Sequence, residues 1–337
     1  MTDRSEPPPV PPAPDEGDGS PPAPSILSLE GRAVPALYLI GWVGSILGLG
    51  IVVVSLLSTS SSASGWIFLA GLALLGIGLV AAAGSQAVER GRRPDLAYRG
   101  PAPVLVFAAV VAIVLLVVVV VLAPLSVLGL DAGSPLATTL ELALTALVYV
   151  ALIRLLVVGP GALSWADMGL RHPAAIALRD LLLGAALGVP VLLVTLLLGG
   201  LLSRVVEPGP SVLPAFGNAA GLLLNLASAA IIAPIGEELF FRGFATTAWS
   251  RSIGAWPAIA RGAAFFAAAH VLTLMDASFG AGVQHAAYAF ITLMPVGLAL
   301  GWVFLSRRSL YAAIGLHAAF NGLQILALFA FASGAAT

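Results

Sequence analysis

The sequence predicts an all-α protein, a polytopic bundle of about nine transmembrane helices with a cytoplasmic N-terminus. Three observations predict it. Of the 337 residues, 59% are hydrophobic and only 9% charged, whereas a soluble domain carries about a quarter charged residues. Apolar runs of about 20 residues recur between short polar or Gly-Pro loops, and that is the length a helix needs to cross the hydrocarbon core. The ten-residue alternation of a membrane β-barrel is missing.

Residues 1–30 are proline-rich and acidic, with almost nothing apolar to bury, and read as a disordered, extended cytoplasmic tail. The first apolar run begins near Pro35 and is long enough to span, so it reads as a retained helix and not as a secretory signal. Spans are expected at 35–57, 66–88, 102–123, 136–158, 180–203, 214–235, 258–275, 284–305 and 310–332. The chain divides into an N-terminal transmembrane region, 31–210, and a core carrying the chemistry, 211–335. Glycine-rich patches such as GLGLGI and GLALLGIG suit close helix packing in lipid better than a nucleotide fingerprint.

Orientation follows from the basic residues, all fifteen of which are arginine. Arg90, Arg92, Arg93 and Arg99 follow the second span, Arg171 and Arg179 the fourth, Arg242 and Arg251 the sixth, and Arg307 with Arg308 the eighth. Loops after odd spans hold Arg204 alone, so the N-terminus is expected inside and the C-terminus outside. The segment SWADMGLRHP around Trp165 is too polar to span and is expected at the cytoplasmic interface. Arginine without lysine, with abundant alanine and glycine, suggests a GC-rich bacterial genome and hence a bacterial cytoplasmic membrane. The absence of cysteine excludes disulfides, thiolate metal sites and a cysteine nucleophile. A net charge of -1, with the arginines sitting in loops and not forming one basic face, argues against a nucleic-acid partner.

The informative stretch is APIGEELFFRG, where Glu237, Glu238 and Arg242 arrive at the end of an apolar helix. An ionised side chain at membrane depth costs on the order of 2.5 to 3.5 kcal/mol, so such a cluster needs compensation. On a helix, Glu238 and Arg242 project about 40° apart, whereas Glu237 and Arg242 project about 140° apart. Glu238 is the natural ion-pair partner, leaving Glu237 on a neighbouring face as a candidate general base. A loop ion cluster that merely obeys the positive-inside rule is the competing reading of these three charges. His270 closes the run GAAFFAAAH, and His317 with Asn321 interrupts the last span, four apart and so on one face. Intramembrane polar residues point into the bundle by default, here toward Glu237 and Glu238. His270, beyond the middle of its expected span, needs a tilt or a late helix start to reach them. His172 and His285 read as structural, and Glu141 and Arg154 are too far apart on one helix to pair.

These residues resemble the CPBP family of intramembrane proteases, also called the Abi family, which includes the type II CAAX prenyl endopeptidases. The family pattern EExxxR corresponds to Glu237, Glu238 and Arg242, FxxxH to Phe266 and His270, and HxxxN to His317 and Asn321. The likeness covers about residues 215–330 and leaves the first five helices unmatched. It implies that Glu237 with His270 activates a water for attack on a peptide carbonyl, and that His317 and Asn321 stabilise the oxyanion. Glu238 and Arg242 would hold the glutamate helix. Members are often called metalloproteases, and Glu237, His270 and His317 could complete a three-ligand Zn2+ site with an open position. There is no HExxH, however, and a glutamate–histidine pair can activate water unaided, so the cofactor is either none or a divalent metal such as Zn2+.

The resulting expectation is an endopeptidase cutting a peptide bond near the cytoplasmic face. Its partners would be the lipid bilayer and a peptide or protein substrate reaching the site from membrane or cytoplasm. The alternative is a non-proteolytic membrane scaffold or bacteriocin-immunity protein of the same fold. A secondary transporter would show inverted repeats with matching broken helices, and no internal repeat is evident.

Overall fold

The computed structural model describes residues 33–57, 62–170, 173–209, 218–272 and 279–334. The expected tail, 1–30, and His172 lie outside the described residues. Among the described residues there is no strand, and nine helices follow one another. They are α1 (Ala33–Leu57), α2 (Ser62–Gly91), α3 (Pro103–Val127), α4 (Pro135–Val158), α5 (Ala174–Leu202), α6 (Ala219–Ile253), α7 (Ala255–Val271), α8 (Phe279–Arg307) and α9 (Leu310–Gly334). Eight are long and apolar enough to cross a membrane, and the chain is a multi-pass integral membrane protein. The other is α7, with 17 residues.

The largest departure from the expected spans is at the sixth. Hydropathy drops at Glu237, Glu238 and Arg242, which placed the predicted span end at 235, yet α6 runs unbroken for 35 residues to Ile253. The charges sit inside the helix because neighbouring helices supply their partners, so the backbone has no reason to stop there. At about 52 Å, α6 exceeds the roughly 30 Å hydrocarbon core and must tilt or stand beyond it. It is also the most enclosed span: 44% of its most apolar stretch is buried, against 11% for α5. Around it pack α4, α7 and α9, with α8 reaching its C-terminal half.

Helices approach closely where glycine removes the side chain. Gly41, Gly44 and Gly48 of α1 lie against the backbone of α2 at Ala82, Gly78 and Leu75. Gly184 of α5 faces the Ala312 carbonyl of α9, and Gly315 of α9 faces the Leu181 carbonyl of α5. In lipid, where apolar burial does not drive association, such contact supplies the packing energy.

The arginine-bearing loops gather at one end. Arg251, in the last turn of α6, pairs with Asp167 of the α4–α5 linker at 2.6 Å. Leu310 N–H, after the α8–α9 turn, donates to Gly169 O of the same linker at 3.1 Å. The linker turns there through Gly169 at φ 82, a conformation glycine adopts without Cβ strain. Burial works to raise the Asp167 carboxyl, but hydrogen bonds from Ser164 and the charge of Arg251 outweigh it and hold it below the usual range. A buried carboxylate, Asp180 of α5, pairs with Arg307 at 2.8 Å and pins the same turn to α5.

The Gly184→Ala variant should lose about 1–3 kcal/mol, because its methyl meets the α9 backbone. Gly200→Ala, on the same helix but facing open space, should be close to neutral. Reversible unfolding in mixed micelles measures both, and equal effects would sink the close-packing account.

Candidate active site

Three helices bring the site together. Gly236 allows α6 to approach α4, since a Cβ there would lie 2.8 Å from Ala146 Cα. The next two residues are the glutamates, and they have different surroundings. Glu238 is wholly buried, and its Oε1 accepts from Arg242 Nη1 at 2.8 Å and from His317 Nδ1 at 2.7 Å. Arg242, also buried, sends Nη2 to the Gly297 carbonyl of α8 at 3.4 Å. Its guanidinium carbon lies 4.3 Å from the centroid of the Phe266 ring, within cation–π range. Phe266 thus serves as a platform: the His270 ring lies 4.3 Å away and His317 meets it edge-on at 5.6 Å.

Glu237, by contrast, keeps 19% of its side chain accessible and turns Oε2 toward two imidazoles. His270 Nε2 and His317 Nε2 are each 3.8 Å from that oxygen. The partners of the opposite nitrogens decide the tautomers. His270 Nδ1 lies 2.8 Å from the Phe266 carbonyl, which only accepts, so the proton is on Nδ1. The same logic places a proton on His317 Nδ1, against Glu238. In the neutral His270 ring, Nε2 therefore presents a lone pair toward Glu237. A water about 2.8 Å from both Oε2 and His270 Nε2 fits the 3.8 Å separation at an apex angle of about 85°.

α7 ends at Val271, four residues earlier than the expected span, so His270 occupies its last turn. His317 lies seven residues, about 10 Å, into α9 from Leu310.

Residues 219–323, about a third of the chain, match the family model described as Type II CAAX prenyl endopeptidase Rce1-like. This segment is a CAAX-protease-like domain. Searches of the curated proteins and of the solved structures gave no match. The domain begins where α6 begins and ends two residues past Asn321, so it encloses every side chain of the cluster.

Two anchors of the CAAX-protease-like domain were not visible in the sequence. Ser228–Ile232 of α6 is π-helical, with Ala233 N–H bonded to Ser228 O, five residues back. The next donor in that register would be residue 234, bonding to Ala229 O, but Pro234 has no N–H. Asn321 Nδ2 instead donates to Ala229 O at 2.8 Å. A proline in one helix thus creates an acceptor that an asparagine from another satisfies, as lipid demands of every backbone group. Pro234 in APIGEE was the available signal. The second anchor, the Gly297 carbonyl on Arg242, leaves no sequence signal, since any residue supplies a carbonyl. Further along α6, Leu239–Thr246 is also π-helical, and the hydroxyls of Thr246 and Thr247 bond back to the carbonyls of Phe241 and Arg242.

The donor chemistry of Glu237, His270 and His317, two anchored imidazoles and a carboxylate, is of a kind that zinc accepts. Their arrangement is not: among the described residues no three His, Asp or Glu side chains form a group able to hold a metal ion.

Removing Glu238 as Glu238→Ala would leave Arg242 buried and uncompensated, at a cost of about 3–5 kcal/mol. Glu237→Gln, at the accessible edge, should change stability by under about 1 kcal/mol. Thermal unfolding in detergent distinguishes the two, and similar losses would contradict the division between a buried anchor and an open carboxylate.

Proposed function

We propose that this chain is an intramembrane endopeptidase in which Glu237 is the general base. The observation that supports it is the asymmetry of the glutamate pair. Glu238 is committed to Arg242 and His317, while Glu237 is partly accessible and faces both imidazoles at 3.8 Å.

In this reading, a water held between Glu237 Oε2 and His270 Nε2 gives its proton to Glu237 as its oxygen bonds to the scissile carbonyl carbon. His317, protonated on both nitrogens with Nδ1–H held by Glu238, donates from Nε2 to the developing oxyanion. Asn321 has one amide hydrogen on Ala229 O and a second free to assist. Collapse breaks the C–N bond, and the proton taken by Glu237 passes to the leaving nitrogen, giving a carboxylic acid and an amine. Arg242 and Phe266 touch no substrate; they position Glu238 and the two rings. Residues 211–335 form the catalytic core and 31–210 the surrounding transmembrane helices. The arginine-bearing end, about 10 Å from His317 along α9, faces the cytoplasm of a bacterial cell, as the positive-inside rule directs. The substrate is a peptide delivered at that face.

Wild-type protein in proteoliposomes should cleave members of a fluorogenic peptide library. Glu237→Gln and His270→Ala should each lower the rate by about 10²–10⁴-fold without unfolding the protein. A chelator arm separates water activated by Glu237 and His270, whose cleavage persists, from metal-held water, whose cleavage is lost and returns with Zn2+. Cleavage that survives Glu237→Gln would remove the base assignment. No cleavage by folded wild type on any peptide would leave the bundle as a scaffold.

A further inference from the structure

A second concave site lies away from the glutamates, where α2, α4 and α6 end and α3 begins. It is a cavity of ≈480 Å³ lined by Pro94, Leu96, Ala97, Ala162 and the side chains of Arg99, Arg251 and Asp95. Arg251 lies 14 residues beyond Glu237, about 21 Å along α6, so this cavity is separate from the candidate active site.

Its walls are firmly built. Tyr98 is buried and donates to Pro101 O at 3.0 Å, Arg90 Nη1 donates to Gly100 O at 3.1 Å, and Ala102 N–H donates to Gln86 Oε1 at 2.5 Å. Its charges are unequally engaged. Arg93 binds Asp95 through two hydrogen bonds of 2.9 and 2.8 Å, and holds that carboxylate below its usual range with Arg99 assisting. Arg251 contacts Asp167 through one of its nitrogens, leaving other N–H groups. Arg99 forms no salt bridge among the described residues; it has one long hydrogen bond, 3.5 Å to Pro94 O. The lining therefore presents an excess of guanidinium donors beside apolar Pro94, Leu96 and Ala97. Four spans terminate around it, which sets it at headgroup level. Trp256, 70% exposed near the start of α7, has the amphipathic character of an interfacial anchor at this end.

We infer that this cavity binds the phosphate of an anionic phospholipid, with Arg99 and Arg251 donating to the phosphate and the Pro94–Ala97 wall covering the glycerol end. Guanidinium groups match phosphate oxygens in geometry and charge. A soluble phosphate ester would share that chemistry; the position of the cavity where spans leave the hydrocarbon favours the lipid. The inference does not depend on the protease reading, since it uses neither Glu237 nor its partners.

The test is native mass spectrometry of the whole protein released from nanodiscs of equimolar phosphatidylglycerol and phosphatidylcholine. Wild type should retain phosphatidylglycerol preferentially. Arg99→Gln and Arg251→Gln should each lower that preference by about fivefold, while Arg204→Gln, after α5, should leave it unchanged. Equal retention of the two lipids by wild type would overturn the inference without recourse to any variant. So would an equal loss of preference in Arg99→Gln and Arg204→Gln. Complete displacement of the lipid adducts by millimolar glycerol phosphate would assign the site to a soluble phosphate and overturn the lipid source.

Discussion

The Glu238–Arg242 ion pair is the constraint on which the rest of the site depends. It is wholly buried inside the bundle, where each charge alone would be prohibitive, so the pair recruits partners from the surrounding helices. Arg242 meets that demand with the Gly297 carbonyl and the Phe266 face, and Glu238 Oε1 with His317 Nδ1, while Glu238 Oε2 is buried without a hydrogen-bond partner. Satisfying the pair thus draws in α7, α8 and α9. Those same contacts fix the rings of His270 and His317 opposite Glu237.

A pair this deeply enclosed gives two adjacent glutamates different surroundings. One residue of helix rotation turns Glu237 from the buried face to the partly accessible one, opposite the two imidazoles. Glu238 is engaged with Arg242 and His317. Gly236 contributes by omission: without a side chain at that position, α4 comes close enough at Ala146 to close the bundle around the pair.

Much of the helix layout was legible because lipid imposes a simple rule, about 20 apolar residues per crossing. The same rule obscured the centre of the molecule. Hydropathy sums composition along the chain and cannot see that Glu238 meets His317 across 79 positions of sequence, so the sixth span was cut short at the charges that the fold compensates. The spacing of Glu238 and Arg242 made them neighbours on any helix, and that needs no tertiary knowledge. The Pro234–Ala229–Asn321 connection was hidden for a different reason. Its register depends on π-helical hydrogen bonding five residues back, and sequence patterns are read at 3.6 residues per turn.

That π-helical turn also bears on how α6 can vary between relatives. Each residue of an α-helix advances the chain by about 100°, so deleting one residue between Ser228 and Ile232 would restore ordinary helical bonding while swinging one half of α6 against the other by a comparable angle. The apolar length would hardly change, and a hydropathy profile would look the same. Glu237 and Glu238, however, would exchange faces with their neighbours, and Asn321 would lose the carbonyl it caps. Within this stretch the count of residues carries information that their chemical character does not, and length changes in the family are better accommodated in the loops than here.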